Sequence, residues 1–456
     1  MKMKKRGWAA AVCALSLLLT CCAAPAPSGA VSAPEAQATP EPQRQAFDLP
    51  FEMVSSPDLT SYGSGTAEGF YSVFSNEDGS RSLLYVDYAS ASQVYLCAQP
   101  NCEHNSESCP AWIAPFSGMV TVAAGEKELF LLCNGYGGGV RIERADLNGE
   151  NRRELLSLPG GMMAENAVAS NGGFLVISVQ ESVQNDDSVL QEHRLLAVDV
   201  NSGETRSIFS LREHLPGEEP EACSMKFLGV THEGFLVQAS AQGKYDTTGT
   251  EEEVFQKMDD AFRTVIWQVP FDGAPPAELF TWGAEQGKGI ACENAFFFVE
   301  LQKDGSYALK KLDRGKESTL CSDLRALAPE RDPETFRLAD IVLRGGVENK
   351  LLLNLLTEAY MAENGNIEAV YGGFAVDMDT GEAAPLPLTN HYSATTVPVQ
   401  VLDAHGPKLL VFAEISETVD KAANALVHRR RMGLIDPQDY LNGRAEYQMI
   451  DSLRDF

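Results

Sequence analysis

The thirteen residues "CAQPNCEHNSESC", 97 to 109, hold three cysteines and a histidine at C-x4-C-x-H-x4-C spacing. Thiolate and imidazole are the ligands that a tetrahedral zinc ion takes. Cys97, Cys102, His104 and Cys109 supply four of them, which fills the tetrahedron and leaves no position for water or substrate. One zinc ion at this place is therefore expected to be structural. Pro100, Asn101, Asn105 and Ser106 favour turns, so a short loop can curl around one ion. The same residues admit two other states. An exported protein meets oxidant, so two of the three cysteines can pair as a disulfide with His104 as a bystander. All three can also stay free thiols.

No second grouping of this kind stands out. The run "GYGGGV" from Gly135 lacks the Lys and Ser or Thr of a phosphate loop. The stretch "GSGTAEG" around Ser64 lacks the strand-then-helix setting of a nucleophile elbow. His193, His214, His232, His391, His405 and His428 are scattered without ligand spacing and read as strand or surface residues. Cys133, Cys223, Cys292 and Cys321 sit in or beside apolar strands and read as small core residues. No catalytic residue is assigned. An enzyme on this scaffold would have to assemble its groups from separate segments at a channel mouth.

The elements that must carry the cysteine cluster repeat one pattern. Apolar β-rich segments flank a turn of Asp, Asn and Gly in "LLYVDYASASQVYLC" ending at Cys97, "RIERADLNGENRRELLSL" at Leu158, and "LLAVDVNSGETRSIFSL" at Leu211. It recurs in "VIWQVPFDGAPPAELFTW" to Trp282, "YALKKLDRGKESTLC" to Cys321, "GGFAVDMDTGEAAPLPL" to Leu388 and "MGLIDPQDYLNGRAEYQMI" to Ile450. The turns suit hairpins, since Gly tolerates positive φ and Asp or Asn caps its own backbone. Helix signals are almost absent, which disfavours alternating strands and helices. These features predict an all-β fold, a seven-bladed β-propeller over 47–456, because radial repetition leaves few exposed strand edges. The cysteine loop follows the last strand of the first blade and is expected to lie between blades.

The marker aspartates Asp199 and Asp272 are 73 residues apart, the longest gap in the series. "TEEEVFQKMDDAF" explains it. Thr250 and Glu253 stand at capping-box spacing and Phe255, Met258 and Phe262 share one face, so a short helix is expected inside the fourth blade. The final "AEYQMIDSL" is expected to pair with the first blade and close the ring.

Ahead of the body, "MKMKKR" and the apolar "GWAAAVCALSLLLT" read as an export signal over 1–22. Leu19, Thr20 and Cys21 precede Cys22 as small residues precede the acylated cysteine of a bacterial lipoprotein signal; Cys21 is the alternative site. Residues 23–46 are rich in Pro, Ala, Ser, Glu and Gln and read as a disordered tether reaching roughly 25 Å. With its repeats of the "VDxxTGE" type and its cysteine and histidine cluster after the first repeat, the chain resembles the propeller lipoproteins of anaerobic Gram-positive bacteria. That resemblance implies a lipid-anchored, extracytoplasmic propeller and no particular chemistry.

Charge narrows the partners. The chain has 36 Lys plus Arg against 64 Asp plus Glu, and loss of the four signal charges takes the net from −28 to −32. Nucleic acid and anionic headgroups are poor partners for that sign. The basic run His428 to Arg431 reads as a solvated strand balancing nearby acids. A monomeric binding module for a protein, peptide or glycan is the reading favoured, with Tyr245 to Phe262 and Thr357 to Ile367 lining its face. The alternative is a hydrolase or lyase acting at the channel mouth.

Overall fold

The computed structural model describes residues 46–454 apart from 49, 56–62, 137, 185–188, 216–221, 362–366 and 421–424. Cys21 and Cys22, the signal segment and the tether up to residue 45 lie outside the described residues. No described helix is long and apolar enough to cross a membrane.

Seven antiparallel sheets follow one another along the chain, spanning 64–95, 118–158, 162–210, 222–282, 287–321, 341–386 and 401–449. Each repeat seen in the sequence maps to one sheet, and the fold is a seven-bladed β-propeller. Within a blade, burial falls from the centre outward. The second strand of blade 2, Glu128–Gly135, is buried at six of eight positions, because neighbouring blades cover both its faces, whereas the outermost strand of blade 5, Lys316–Cys321, has four exposed positions of six. Continuous apolar runs and polar ones report this difference.

The core is divided in the same way. Seven hydrophobic clusters occupy the seven spaces between adjacent blades, from Leu83, Ile113 and Leu131 between blades 1 and 2 to Phe70, Phe412 and Leu434 between blades 7 and 1. The marker aspartates end the third strand of each blade or follow it by one or two residues. Asp87 accepts the Ser90 N–H at 2.6 Å, Asp199 that of Ser202 at 2.8 Å and Asp377 that of Thr380 at 2.7 Å. These bonds fix the turn to the outer strand locally.

Strand direction alternates within each blade, so the turns between strands 1 and 2 and between strands 3 and 4 share one face of the disc, here the lower face. The turns between strands 2 and 3 share the upper face. Four upper hairpins overshoot. In blades 3, 6 and 7 both strands run 11 or 12 residues, as in Lys350–Met361 with Ile367–Asp377, against 7 for the corresponding strands of blade 1. Blade 4 carries the expected helix, Glu251–Ala261, with the Thr250 and Glu253 capping box formed. Phe262 is not on its apolar face: the helix ends before it and Phe262 opens the next strand.

Two other expectations change. Gln448–Met449 pairs with Ala425–Ile435 of its own blade, and the residues after it reach blade 1: Asp451 in a parallel bridge to Ser92, and Arg454, whose N–H donates to Gln93 Oε1 at 2.9 Å. The ring closes mainly by packing. In addition, Glu52–Ser55 lies antiparallel on Met162–Ser170, the innermost strand of blade 3, next to the innermost strands of blades 1, 2 and 4. The chain thus threads its own channel, entering from the lower face, where the Phe47 N–H donates to Phe271 O at 2.9 Å.

Candidate metal centre

The outermost strand of blade 1 is in two pieces. Ser92–Tyr95 pairs with residues 84–87, and Trp112–Ile113 pairs with Arg81 and Ser82 of the same strand. The sixteen residues between them, 96–111, leave the sheet and return at the same point: the Leu96 N–H donates to Leu83 O at 3.0 Å and the Leu83 N–H to Ala111 O at 2.7 Å. The cysteine loop therefore interrupts the outermost strand of blade 1 and does not follow it, and its cysteines pack between blades 1 and 2, as expected. Arg152 of blade 2 holds its far end, donating to Pro110 O at 3.2 Å and Trp112 O at 2.8 Å.

Within the loop the backbone turns sharply at Asn101 and His104, with φ of 57° and 56°. Asn accepts the left-handed region readily, His less so. The turns bring together all four residues singled out in the sequence: the ligand atoms of Cys97, Cys102, His104 and Cys109 lie within 4.8 Å of one another. Zinc–sulfur bonds of 2.3 Å give a tetrahedron with edges of about 3.8 Å, so the donors need only small shifts to hold one ion. His104 Nδ1 is already 3.3 Å from Cys109 Sγ. The imidazole stacks on Tyr95, centroids 4.3 Å apart, which fixes the ring as a ligand requires.

The thiols have unequal surroundings. Burial pushes the Cys109 thiol up to about 12, while a backbone N–H from His104 holds the Cys102 thiol below its ordinary range. No described cysteine is in a disulfide. Cys133 is buried, and Cys223, Cys292 and Cys321 pack at the edges of the core, as expected.

Of the scattered histidines, His193 is buried with Nε2 unpartnered, and burial lowers its pKa. His405 Nδ1 lies 2.6 Å from Asp403, whose other oxygen accepts the Tyr88 hydroxyl at 2.6 Å. Gly65 lies against this carboxylate so closely that a Cβ there would stand 1.9 Å from Asp403 Oδ1. His428 belongs to a grouping the sequence did not reveal. Its Nε2 is 3.0 Å from Ser393 Oγ and its Nδ1 3.4 Å from Glu417 Oε1. Glu417 and His428 are cross-strand partners in blade 7, and Ser393 comes from a two-residue turn of blade 6 with positive φ at Ser393 and Ala394. Serine and imidazole thus stand as a nucleophile and its base, while His428 Nδ1 makes no hydrogen bond and Glu417 Oε1 accepts from the Ser393 N–H. In the same basic strand Arg431 pairs with Glu414 at 2.8 Å, the balancing role expected of that run.

No family model matches the chain, and no curated protein matches it. Solved structures do. A puromycin hydrolase S511A mutant complexed with PGG is 13% identical, with a TM-score of 0.44 over 88% of this chain and 55% of the hydrolase. An oligogalacturonate lyase in complex with manganese is 12% identical at 0.41, covering 80% and 91%. The β-propeller domain of the Trilobed protease from Pyrococcus furiosus is 11% identical at 0.43, covering 85% and 97%. The chain spans about half the length of the puromycin hydrolase.

Proposed function

We propose that this protein is a lipid-anchored, extracytoplasmic binding module that takes a protein, peptide or glycan on the upper face of its propeller, with one structural zinc ion at Cys97, Cys102, His104 and Cys109. The carrying observation is that six of the twelve exposed large hydrophobics among the described residues fall on overshooting hairpins. Phe255 on the blade 4 helix, Tyr360, Met361 and Ile367 at the blade 6 tip, and Val419 and Val427 at the blade 7 tip are all exposed large hydrophobics. All belong to upper hairpins that overshoot the disc, and all six are places where water contact is unfavourable without a partner. Loops on a rigid framework are where recognition concentrates. A net charge of −32 favours a cationic or neutral partner, with the ionic part weakening as salt rises.

The test uses immobilised protein and cell-wall or secreted fractions. Retention by the intact protein, lost when Tyr360, Met361 and Ile367 are changed together to Ser, supports the reading; equal retention by both removes the blade 6 tip from the site. Incorporation of radiolabelled fatty acid, abolished only when Cys21 and Cys22 are both replaced, tests the anchor.

A second reading, hydrolase, is favoured by one observation, the Ser393, His428 and Glu417 grouping. In that reading Ser393 Oγ adds to an acyl carbon while His428 Nε2 takes its proton and returns it to the leaving group as the acyl bond breaks, water then releases the acyl group by the same route, and Glu417 lies 3.4 Å from Nδ1. Covalent labelling of Ser393 by a fluorophosphonate, absent in Ser393→Ala and His428→Ala, supports it. Absence of labelling in the intact protein ends it.

A further inference from the structure

Between blades 6 and 7 a partly open cleft with about 90 Å³ of free space is walled by Leu352, Leu386, Tyr392, Val397, Pro398 and Tyr440. Three polar side chains also line it: Arg344 from the innermost strand of blade 6, Asn354 beside it, and Gln400 from the link to blade 7. Among the described residues none of these three side chains makes a hydrogen bond or ion pair. For Asn354 this is a buried residue, 6% exposed, and for Arg344 it is a half-buried cation in a chain with 64 acidic residues.

None of their polar atoms is among the buried, unpartnered ones, so these groups face the space of the cleft and have no protein partner to give up when a ligand arrives. The Tyr440 hydroxyl is committed to Val399 O at 2.9 Å. An apolar concavity with a few convergent, unpaired polar groups is the usual form of a small-ligand site. The guanidinium specifies the ligand's charge and shape, since its planar fork matches a carboxylate with two parallel bonds. The amides of Asn354 and Gln400 can donate to or accept from the group next to that carboxylate.

We propose that this cleft binds an amphipathic organic carboxylate, with the carboxylate on Arg344 and its apolar part against Leu352, Val397 and Tyr392. The inference deepens the binding-module reading and rests on it, adding a second, small-ligand site. The shared chemistry has two sources, a free aliphatic acid and the C-terminus of a peptide, for which octanoate and acetyl-leucyl-leucine serve as probes, with octanamide and the dipeptide amide as controls.

Titration calorimetry on the full protein is expected to show at least one acid binding, with its amide weaker by about tenfold or more, and the same loss in Arg344→Leu. Arg344→Lys, which keeps the charge and loses the fork, is expected to fall between the two, and serves alone if the leucine variant does not fold. Binding of octanoate only assigns the free acid; binding of the dipeptide only assigns a chain terminus. No binding of either acid, equal binding of acid and amide, or undiminished binding in the arginine variants overturns the proposal. Retention of macromolecules through the hairpin tips is expected to be the same in Arg344→Leu, so failure of the cleft and failure of the upper face are read separately.

Discussion

Cys109 is fully buried, with its Sγ among Cys97, Cys102 and His104 and its neighbours Ala111 and Ile113 in the core between blades 1 and 2. Removing it would affect the proposed centre and the core together. Cys102 separates the two effects, because it stands at the edge of the same cluster. Cys102→Ser is expected to lower the zinc content of protein purified without added metal from one equivalent to well below one, measured by elemental analysis. Chelation is expected to lower the melting temperature of the wild type and leave that of the variant nearly unchanged.

At the seam between blades 1 and 7, the buried Asp403 carboxylate accepts from Tyr88, His405 Nδ1 and the His405 backbone N–H. Tyr88→Phe leaves one of those bonds unmade and should cost about 1–3 kcal/mol in denaturant unfolding. Asp403 raises the His405 pKa above its ordinary 6.5. The charged imidazole is thus favoured by folding, and its contribution is complete below about pH 6.5 and lost as pH rises through the raised value. The difference in stability between wild type and His405→Gln should shrink over that rise; a difference that grows with pH would contradict the assignment. The cysteine cluster was legible in the sequence because thirteen contiguous residues hold all of it. Ser393, Glu417 and His428 were not, because 24 and 35 residues separate Ser393 from its partners and only the strand register joins them.

The blades themselves were legible because their punctuation is local. Asp87, Asp199 and Asp377 bond to backbone two or three residues on, so the turn is written within a short window wherever the strands end up. The blade 4 helix was legible for the same reason, through Thr250 and Glu253. Its C-terminus was not, since Phe262 continues the apolar spacing of the helix while pairing with Gln242 across the sheet. Tertiary pairing overrode the helical period there. The split outer strand of blade 1 was also hidden, because its two short pieces, Ser92–Tyr95 and Trp112–Ile113, have too few residues to show a period.

No residue of the blade 4 helix is buried, so its order depends on its own ends more than on packing. Thr250→Ala removes the bond that the Glu253 N–H donates and is expected to speed amide exchange in 251–261 roughly fivefold while leaving global unfolding unchanged. An equal loss of global stability would mean that the helix is docked more firmly than its exposure indicates.

At the scale of the whole ring, closure without a shared strand places unusual weight on the chain inside the channel. Blade 7 meets blade 1 through apolar packing, the bond from Tyr88 to Asp403, the bridge at Asp451 and the bonds from Arg454 to Gln93 and Tyr95. On the other side of the axis, the segment leading to Glu52–Ser55 ties blades 3 and 4. Phe51, 1% exposed, packs edge-on against Phe235 at 4.8 Å and stacks with Phe271 at 5.7 Å, while Phe47 meets Phe174 of blade 3 at 5.4 Å. One aromatic side chain thus fills a space lined by two blades, and the surrounding sheets are too rigid to collapse into a void. Phe51→Ala is expected to cost about 3–5 kcal/mol in equilibrium unfolding. Phe255→Ala, an equal change of volume on the exposed face of the blade 4 helix, should cost little. If the two substitutions were equally mild, the threaded segment would be a passenger in the channel, and the stability of the ring would have to reside in the blade interfaces alone.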